Sequence, residues 1–407
     1  MKRTSIRFLV LAAVPLVLAA VLTAQRIEAV DGVRVVHNEK GGLWGKTPKV
    51  GLELVRKIGD IDTEDENLAF NYPSDVAVDR DGNIFILDAG NARIQKFGPD
   101  GRFLATIGRK GQGPGEFIMP GDLDIDEDGN LVVSDSAQSR IHVIIGEGRD
   151  VRALIMKDER LYGVRALPAG GYAARASTYP LPGGAGKGGT PGPDDMRLFR
   201  RLDPDGGTAA SFGRLTDFGD GMTNATGNAC SFDLDADGAL LVSFNAQNRI
   251  EKYGPDGTLL WRADRPLDYT TEVKKKGRIE TSGGRVMGMS GAIMNSCSAG
   301  IAVDGKGRAW AVTYARQLKD DERVQTSMMS TGARGGGISN VTVKTTGNTD
   351  LRTTDAFKLE IFGPDGVLLG EIPLTHFADV IRVFGDRLFL IDRERGVTVY
   401  EYMIVEK

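Results

Sequence analysis

The chain has 407 residues, of which 41% are hydrophobic and 26% charged, with 54 glycines and 16 prolines. That hydrophobic share is enough for a packed core and excludes wholesale disorder, and the glycine content fits many tight turns between short strands. A net charge of −4 offers no basic footprint, so nucleic acid is not an expected partner.

The N-terminus reads as an export signal. Lys2, Arg3 and Arg7 precede an apolar run from Phe8 to Leu22, and Leu22-Thr-Ala24 offers a cleavage site before Gln25. The run is about 15 residues long, short of the ~20 that a membrane helix needs. Residues 1–24 are therefore expected to be a signal peptide, with a retained anchor as the alternative. The mature protein is expected to be periplasmic or secreted, with no membrane span after cleavage. Residues 25–49 form an N-terminal arm, and the main domain runs over 50–407.

From residue 73 a pattern recurs at 40 to 50 residues. An alternating strand ends at Asp79-Arg-Asp-Gly82-Asn83, a second strand ends at Asp88, a third opens at Arg93-Ile94, and Gly98-Pro-Asp-Gly101 leads into a fourth. The second copy carries Asp126-Glu-Asp-Gly129-Asn130, Asp135 and Arg140-Ile141; the fourth carries Asp235-Ala-Asp-Gly238, Arg249-Ile250 and Gly254-Pro-Asp-Gly257. Weaker copies centre on Gly170, Gly307 and Gly385. Period-2 alternation predicts strands, and the Asp-Gly turns predict hairpins, because Gly supplies φ > 0 at little cost. Units of this size cannot bury their own faces, so they are expected to stack radially around an axis. The sixth copy ends after its third strand, Val397 to Tyr402, and the segment from Leu52 to Gly59 resembles the fourth strand of copy one. It is expected to complete the last sheet and close the ring.

These words, together with Gly108-Arg-Lys-Gly111-Gln-Gly-Pro-Gly115-Glu-Phe117, resemble NHL repeats, and the chain from about residue 50 onward resembles the six-bladed propellers exported by many bacteria. The fold class implied is an all-β, six-bladed β-propeller of four-stranded antiparallel blades, closed by an N-terminal strand in the last blade. The family includes scaffolds, ligand binders and some enzymes, so it does not by itself define an activity.

Functional residues are expected in the loops. Long insertions at 177–195, 215–228, 269–295 and 317–354 all fall in connections that share one propeller face, whereas the connections of the other face stay short. Tyr179, Tyr314 and Arg316 suit interface anchors, and Asn228 and Asn295 stand where a channel mouth would be. A protein, peptide or glycan partner on that face is the first expectation.

The alternative is a metal-dependent lyase or lactone hydrolase at the same mouth. The resemblance implies a His-ligated zinc for α-amidating lyases and channel Asn and Asp side chains, with calcium, for lactonase-like propellers. His37, His142 and His376 occupy unlike positions in the repeats, so the zinc pattern is not matched. The Asp-x-Asp-Gly strings mimic a calcium loop but lack its closing Glu. The Gly-rich stretch around Lys187 mimics a phosphate loop, but Gly188 replaces the Ser or Thr that should follow. No cofactor and no metal ligand set is expected.

Asp88, Arg93, Asp135, Arg140 and Arg249 recur blade after blade, which favours structural hairpin or interblade pairs. Cys230 and Cys297 sit in matching words just before the first strands of copies four and five, and in an exported protein a disulfide between them is the leading expectation.

Overall fold

The computed structural model describes residues 25–148, 150–156, 160–177, 196–282, 285–332 and 338–407. Six antiparallel sheets of four propeller strands each are arranged in a ring. Blade one comprises Pro73–Val78, Ile84–Asp88, Arg93–Phe97 and Phe103–Ile107; blade two runs from Pro120–Ile125 to Asp150–Ile155. Blades three, four and five begin at Leu161–Ala166, Cys230–Leu234 and Ser298–Val303. Blade six combines Val380–Phe384, Arg387–Asp392 and Thr398–Glu406 with the N-terminal strand Val50–Ile58, so the chain ends meet in one sheet as the repeat count requires. The six innermost strands touch one another in cyclic order and line the axis.

Apolar alternation puts one side of each blade against the previous blade and the other against the next. The core is accordingly divided into six clusters, one per blade boundary. Phe199, Phe212, Phe232 and Tyr253, for example, pack between blades three and four with ring centroids 5.5 to 5.9 Å apart. The Gly-Pro-Asp-Gly turns serve this packing directly. Gly366 in blade five adopts φ +85°, and a Cβ there would lie 2.8 Å from the Trp261 ring of blade four. The turn glycine is a socket for its neighbour's aromatic side chain.

The repeated charged residues are local braces. Asp88 accepts from the Asn71 N–H and from Arg93 Nε at 2.8 Å, while Arg93 also donates to the carbonyls of Glu66 and Ala69. Asp135 holds the Ile118 and Met119 N–H groups, and Arg140 donates to the Gln112 carbonyl. Arg249 reaches Thr216 and stacks 3.7 Å from the Phe244 ring centroid. Each pair thus ties its hairpin to the incoming interblade connector, where buried backbone groups need partners.

The arm is not a loose leader. Arg26–Val30 and Val33–His37 form a hairpin whose second strand runs parallel to Leu259–Asp264, extending blade four to six strands. Asn38 then clips blade five, donating to the Gly366 carbonyl and accepting from the Leu368 N–H. His37 stands between Glu28 (3.1 Å) and Asp264 (2.5 Å), whose hydrogen bonds hold its pKa above the ordinary value. A raised histidine pKa stabilises the arm below the unfolded value, and that contribution is lost as pH rises through the folded value. Amide exchange of residues 26–37 should therefore accelerate beyond its intrinsic pH dependence as pH rises above the ordinary histidine value of about 6.5. His37→Gln should remove that excess; an equal excess in both proteins would refute the latch.

The expected disulfide is absent. Cys230 and Cys297 are separate buried thiols. Cys230 pairs opposite Phe244 on the innermost strand of blade four, and the Asn245 backbone lies between the two segments, accepting from Cys297 N–H and donating to the Ala229 carbonyl. Burial pushes the Cys230 thiol up to about 11, which leaves it an inert core group.

Candidate functional site

The axis encloses a cavity of about 290 Å³ to which all six blades contribute. It opens where the innermost strands begin, on the face that carries the long connections. The described parts of connections 215–228, 269–295 and 317–354 are tied down by hydrogen bonds. The helix Gly221–Gly227 is capped by Asp220, which accepts from the Thr223 N–H at 2.8 Å. Thr223 and Thr226 in turn accept from the N–H groups of Gly277 and Ala292, fastening two insertions together. From blade five a hairpin, Val324–Gly332 with Ile338–Gly347, reaches over the mouth. Met328, Val341 and Val343 line the cavity. Lys110 donates to the Val341 carbonyl at 3.0 Å and Thr326 to Glu394 at 2.6 Å, so the hairpin bridges toward blades one and six.

Below the mouth a charged network crosses the axis. Asp75 of blade one, 1% exposed, accepts from the Leu123 N–H and from Arg165 of blade three at 3.2 Å. Arg382 of blade six donates to Asp75 at 3.4 Å and to Asp124 of blade two at 3.0 Å. Arg165 also faces Asp233 of blade four at 3.5 Å. Asp124 and Asp233 accept from the backbone of the next blade, at Ala166 and Val303 respectively. Burial alone would lower the Arg382 pKa, but Asp75, Asp233 and Asp124 raise it above the ordinary arginine value. The network makes a polar floor to the cavity.

The walls are mixed. Arg393 donates to the Ser74 carbonyl and lies 5.4 Å from the Tyr72 ring centroid, while Arg175 lies 5.5 Å from that of Tyr162. Tyr72 adopts φ +57°, an uncommon conformation for a bulky residue that is often found at functional sites. Asp122 projects between them, and burial raises its pKa although Arg165 opposes the shift.

Of the four described residues expected to bind a ligand, Asn228, Asn295 and Arg316 lie in connections and Tyr314 ends the strand Ala309–Tyr314, and none lines the cavity. Asn228 is wholly buried; it accepts from the Thr216 N–H and donates to the carbonyls of Thr216 and Asn224. Asn295 accepts from Lys274 Nζ and donates to the Thr270 carbonyl. The Tyr314 ring packs 4.6 Å from that of Phe357. Arg316 grips the Glu322 carboxylate with both terminal nitrogens at 2.6 Å and also meets Asp355. Tyr179 lies outside the described residues. The groups that do line the cavity, Asp75, Asp122 and Arg165 among them, had a legible signal: charges inside otherwise apolar inner strands.

Among the described residues no three His, Cys, Asp or Glu side chains gather as a metal site. His142 is buried against Phe117, and His376 is stacked 4.0 Å from the ring centroid of Tyr400 and hydrogen-bonded to Tyr402 at 2.8 Å. No helix among the described residues is long and apolar enough to cross a membrane.

Comparisons with known proteins bear on the fold alone. A family model described as 6-bladed beta-propeller, DUF5128, matches residues 60–143. A DUF4221 family member from Bacteroides vulgatus aligns with a TM-score of 0.51 at 10% identity, covering 88% of this chain and 99% of that one. Virginiamycin B lyase from Staphylococcus aureus aligns at 0.45 and 13% identity, covering 88% and 100%. A gluconolactonase from Xanthomonas campestris aligns at 0.46 and 15%, covering 87% and 99%. No curated protein matches the sequence. The chain is a six-bladed β-propeller, and the likeness to solved structures is one of fold.

Proposed function

We propose that this chain is an exported, NHL-type binding propeller that takes a peptide, glycan or protein segment on its inserted face, across the mouth of the central cavity. The observation that carries this reading is convergence: six blades and the blade-five hairpin contribute to one partly polar cavity on the face that holds the long connections. Function concentrates in loops on a rigid scaffold, and concave sites with a few placed polar groups are the usual ligand sites.

The test uses arrays of peptides and oligosaccharides probed with the intact protein and with a variant in which residues 325–346 are replaced by a Gly-Gly link. The ends to be joined already face each other, because Val324 pairs with Gly347. Binding should weaken at least about tenfold in the variant, equivalent to about 1.4 kcal/mol, while cooperative unfolding is kept. Equal binding by the two proteins would sink the reading. Release of a cleaved product from any bound probe would favour the hydrolase or lyase alternative.

A further inference from the structure

We infer that the cavity is fitted to a small zwitterion of the α-amino-acid class, its ammonium against Asp122 and its carboxylate against Arg175. This goes beyond the reading above by giving the cavity a small ligand of its own, and it rests on the inserted face being the binding face.

Most charged groups around the cavity are already partnered. Asp75 lies between Arg165 and Arg382, Asp379 accepts from the Arg393 N–H, and Arg393 reaches Ser74. Two groups differ. The nearest cation to the Asp122 carboxylate is Arg165 Nη1 at 3.7 Å, too long for a hydrogen bond, and among the described residues nothing donates to its oxygens. Arg175 stacks on Tyr162 and makes no hydrogen bond or ion pair among the described residues, although its charge, like those of Arg165 and Arg393, acts on Asp122 from a distance. The Asp122 side chain is 30% exposed and lines the cavity, where a confined charge gains from a partner. A cavity holding one unsatisfied group of each sign is therefore matched by a ligand that brings both complements. A plain carboxylate would leave Asp122 unmatched, and a plain amine would leave Arg175 so.

Three further features point the same way. Gly163 adopts φ +91°, and a Cβ there would lie 3.8 Å from Asp122 Oδ1 and 3.1 Å from the Phe232 ring, so glycine keeps the space beside the carboxylate open. Ser74 is 5% exposed and its hydroxyl oxygen, like Asn245 Oδ1, has no partner among the described residues; both residues line the cavity. Buried polar atoms of this kind are uncommon unless a water or ligand completes them. Finally, the volume of about 290 Å³ is at the small end for ligand pockets and suits one residue-sized molecule, with Ile118, Met119 and Met328 available to its side chain.

The experiment is thermal unfolding and calorimetry of the full chain with each standard L-amino acid, with acetate and ethylamine as single-charge probes. At least one amino acid should raise Tm by a few degrees at about 100 times its Kd, and neither single-charge probe should do so at the same concentration. Asp122→Asn and Arg175→Gln should each weaken that binding at least about tenfold. Their unliganded melting curves show whether either substitution has disturbed the fold, and Ser74→Ala, which removes only the unpartnered hydroxyl, provides a third reading of the same site. No shift with any amino acid, or unchanged affinity in every folded variant, would overturn the inference. If peptides or glycans still bind in a hairpin-dependent way, that failure leaves the binding face standing; if hairpin removal changes no binding, the face itself is refuted.

Discussion

Replacing Arg382 by Met should destabilise the propeller by about 3–5 kcal/mol, the usual cost of breaking a buried ion pair from one side. The side chain is 3% exposed and is shared by Asp75 and Asp124, carboxylates of two other blades. Its loss leaves Asp75 with Arg165 alone and Asp124 with no cationic partner at hydrogen-bond distance. The dominant effect is this uncompensated charge rather than the lost attraction, and a second substitution separates them. Asp124→Asn added to Arg382→Met removes the orphaned charge yet keeps an oxygen to accept from the Ala166 N–H, so it should recover a substantial part of the loss. Asp75→Asn should recover less, because Asp75 uses both oxygens, accepting from Val76 on one and from Leu123 on the other. Urea unfolding followed by tryptophan fluorescence measures all three proteins. An Arg382→Met loss below about 1 kcal/mol, within the range of exposed pairs, would show that the network is solvated and does not join the blades.

Blade architecture was legible because its determinants are local. Alternation, Asp-Gly turns and the recurrent Asp–Arg braces act within about 50 residues of chain, and the closing strand announced itself by likeness to Phe103–Ile107. The arm hairpin was not read, although Asp31-Gly32, both at positive φ in the structure, is a turn signal of the kind that marks hairpins elsewhere in the chain. Its parallel docking beside Leu259–Asp264 was not legible, because that depends on which sheet edge is left open in three dimensions. The site was harder for a related reason. An asparagine amide that can meet a ligand can equally satisfy loop backbone, and Asn228 and Asn295 do the latter. Burial decides between the two uses, and burial is a property of the assembled ring. Asp75 and Arg382 lie 307 positions apart, so nothing in the local pattern of either indicates the other.

Removal of the closing strand should have an effect comparable with the whole stability of the domain. Val50–Ile58 pairs with Thr398–Glu406 from Val50 opposite Glu406 to Ile58 opposite Val399. Val50 is 0% and Ile58 3% exposed, and they enter different core clusters, at the boundaries of blade six with blades five and one. Each such side chain contributes about 1.5–3 kcal/mol, and Arg56 adds a 2.8 Å pair with the buried Glu401. Against a typical total of about 5–15 kcal/mol, deletion of residues 25–59 should abolish a single cooperative transition and expose Thr398–Glu406 as an unpaired edge prone to association. Deletion of residues 25–45 is the informative control. It removes the fully exposed strand Arg26–Val30 and the Trp44 contact with Gly370, but leaves the ring closed. That protein should melt cooperatively at a lower temperature and self-associate no more than the intact protein does. If both truncations melt alike, closure contributes no more than the arm does, and the ring must be held by its interblade cores alone.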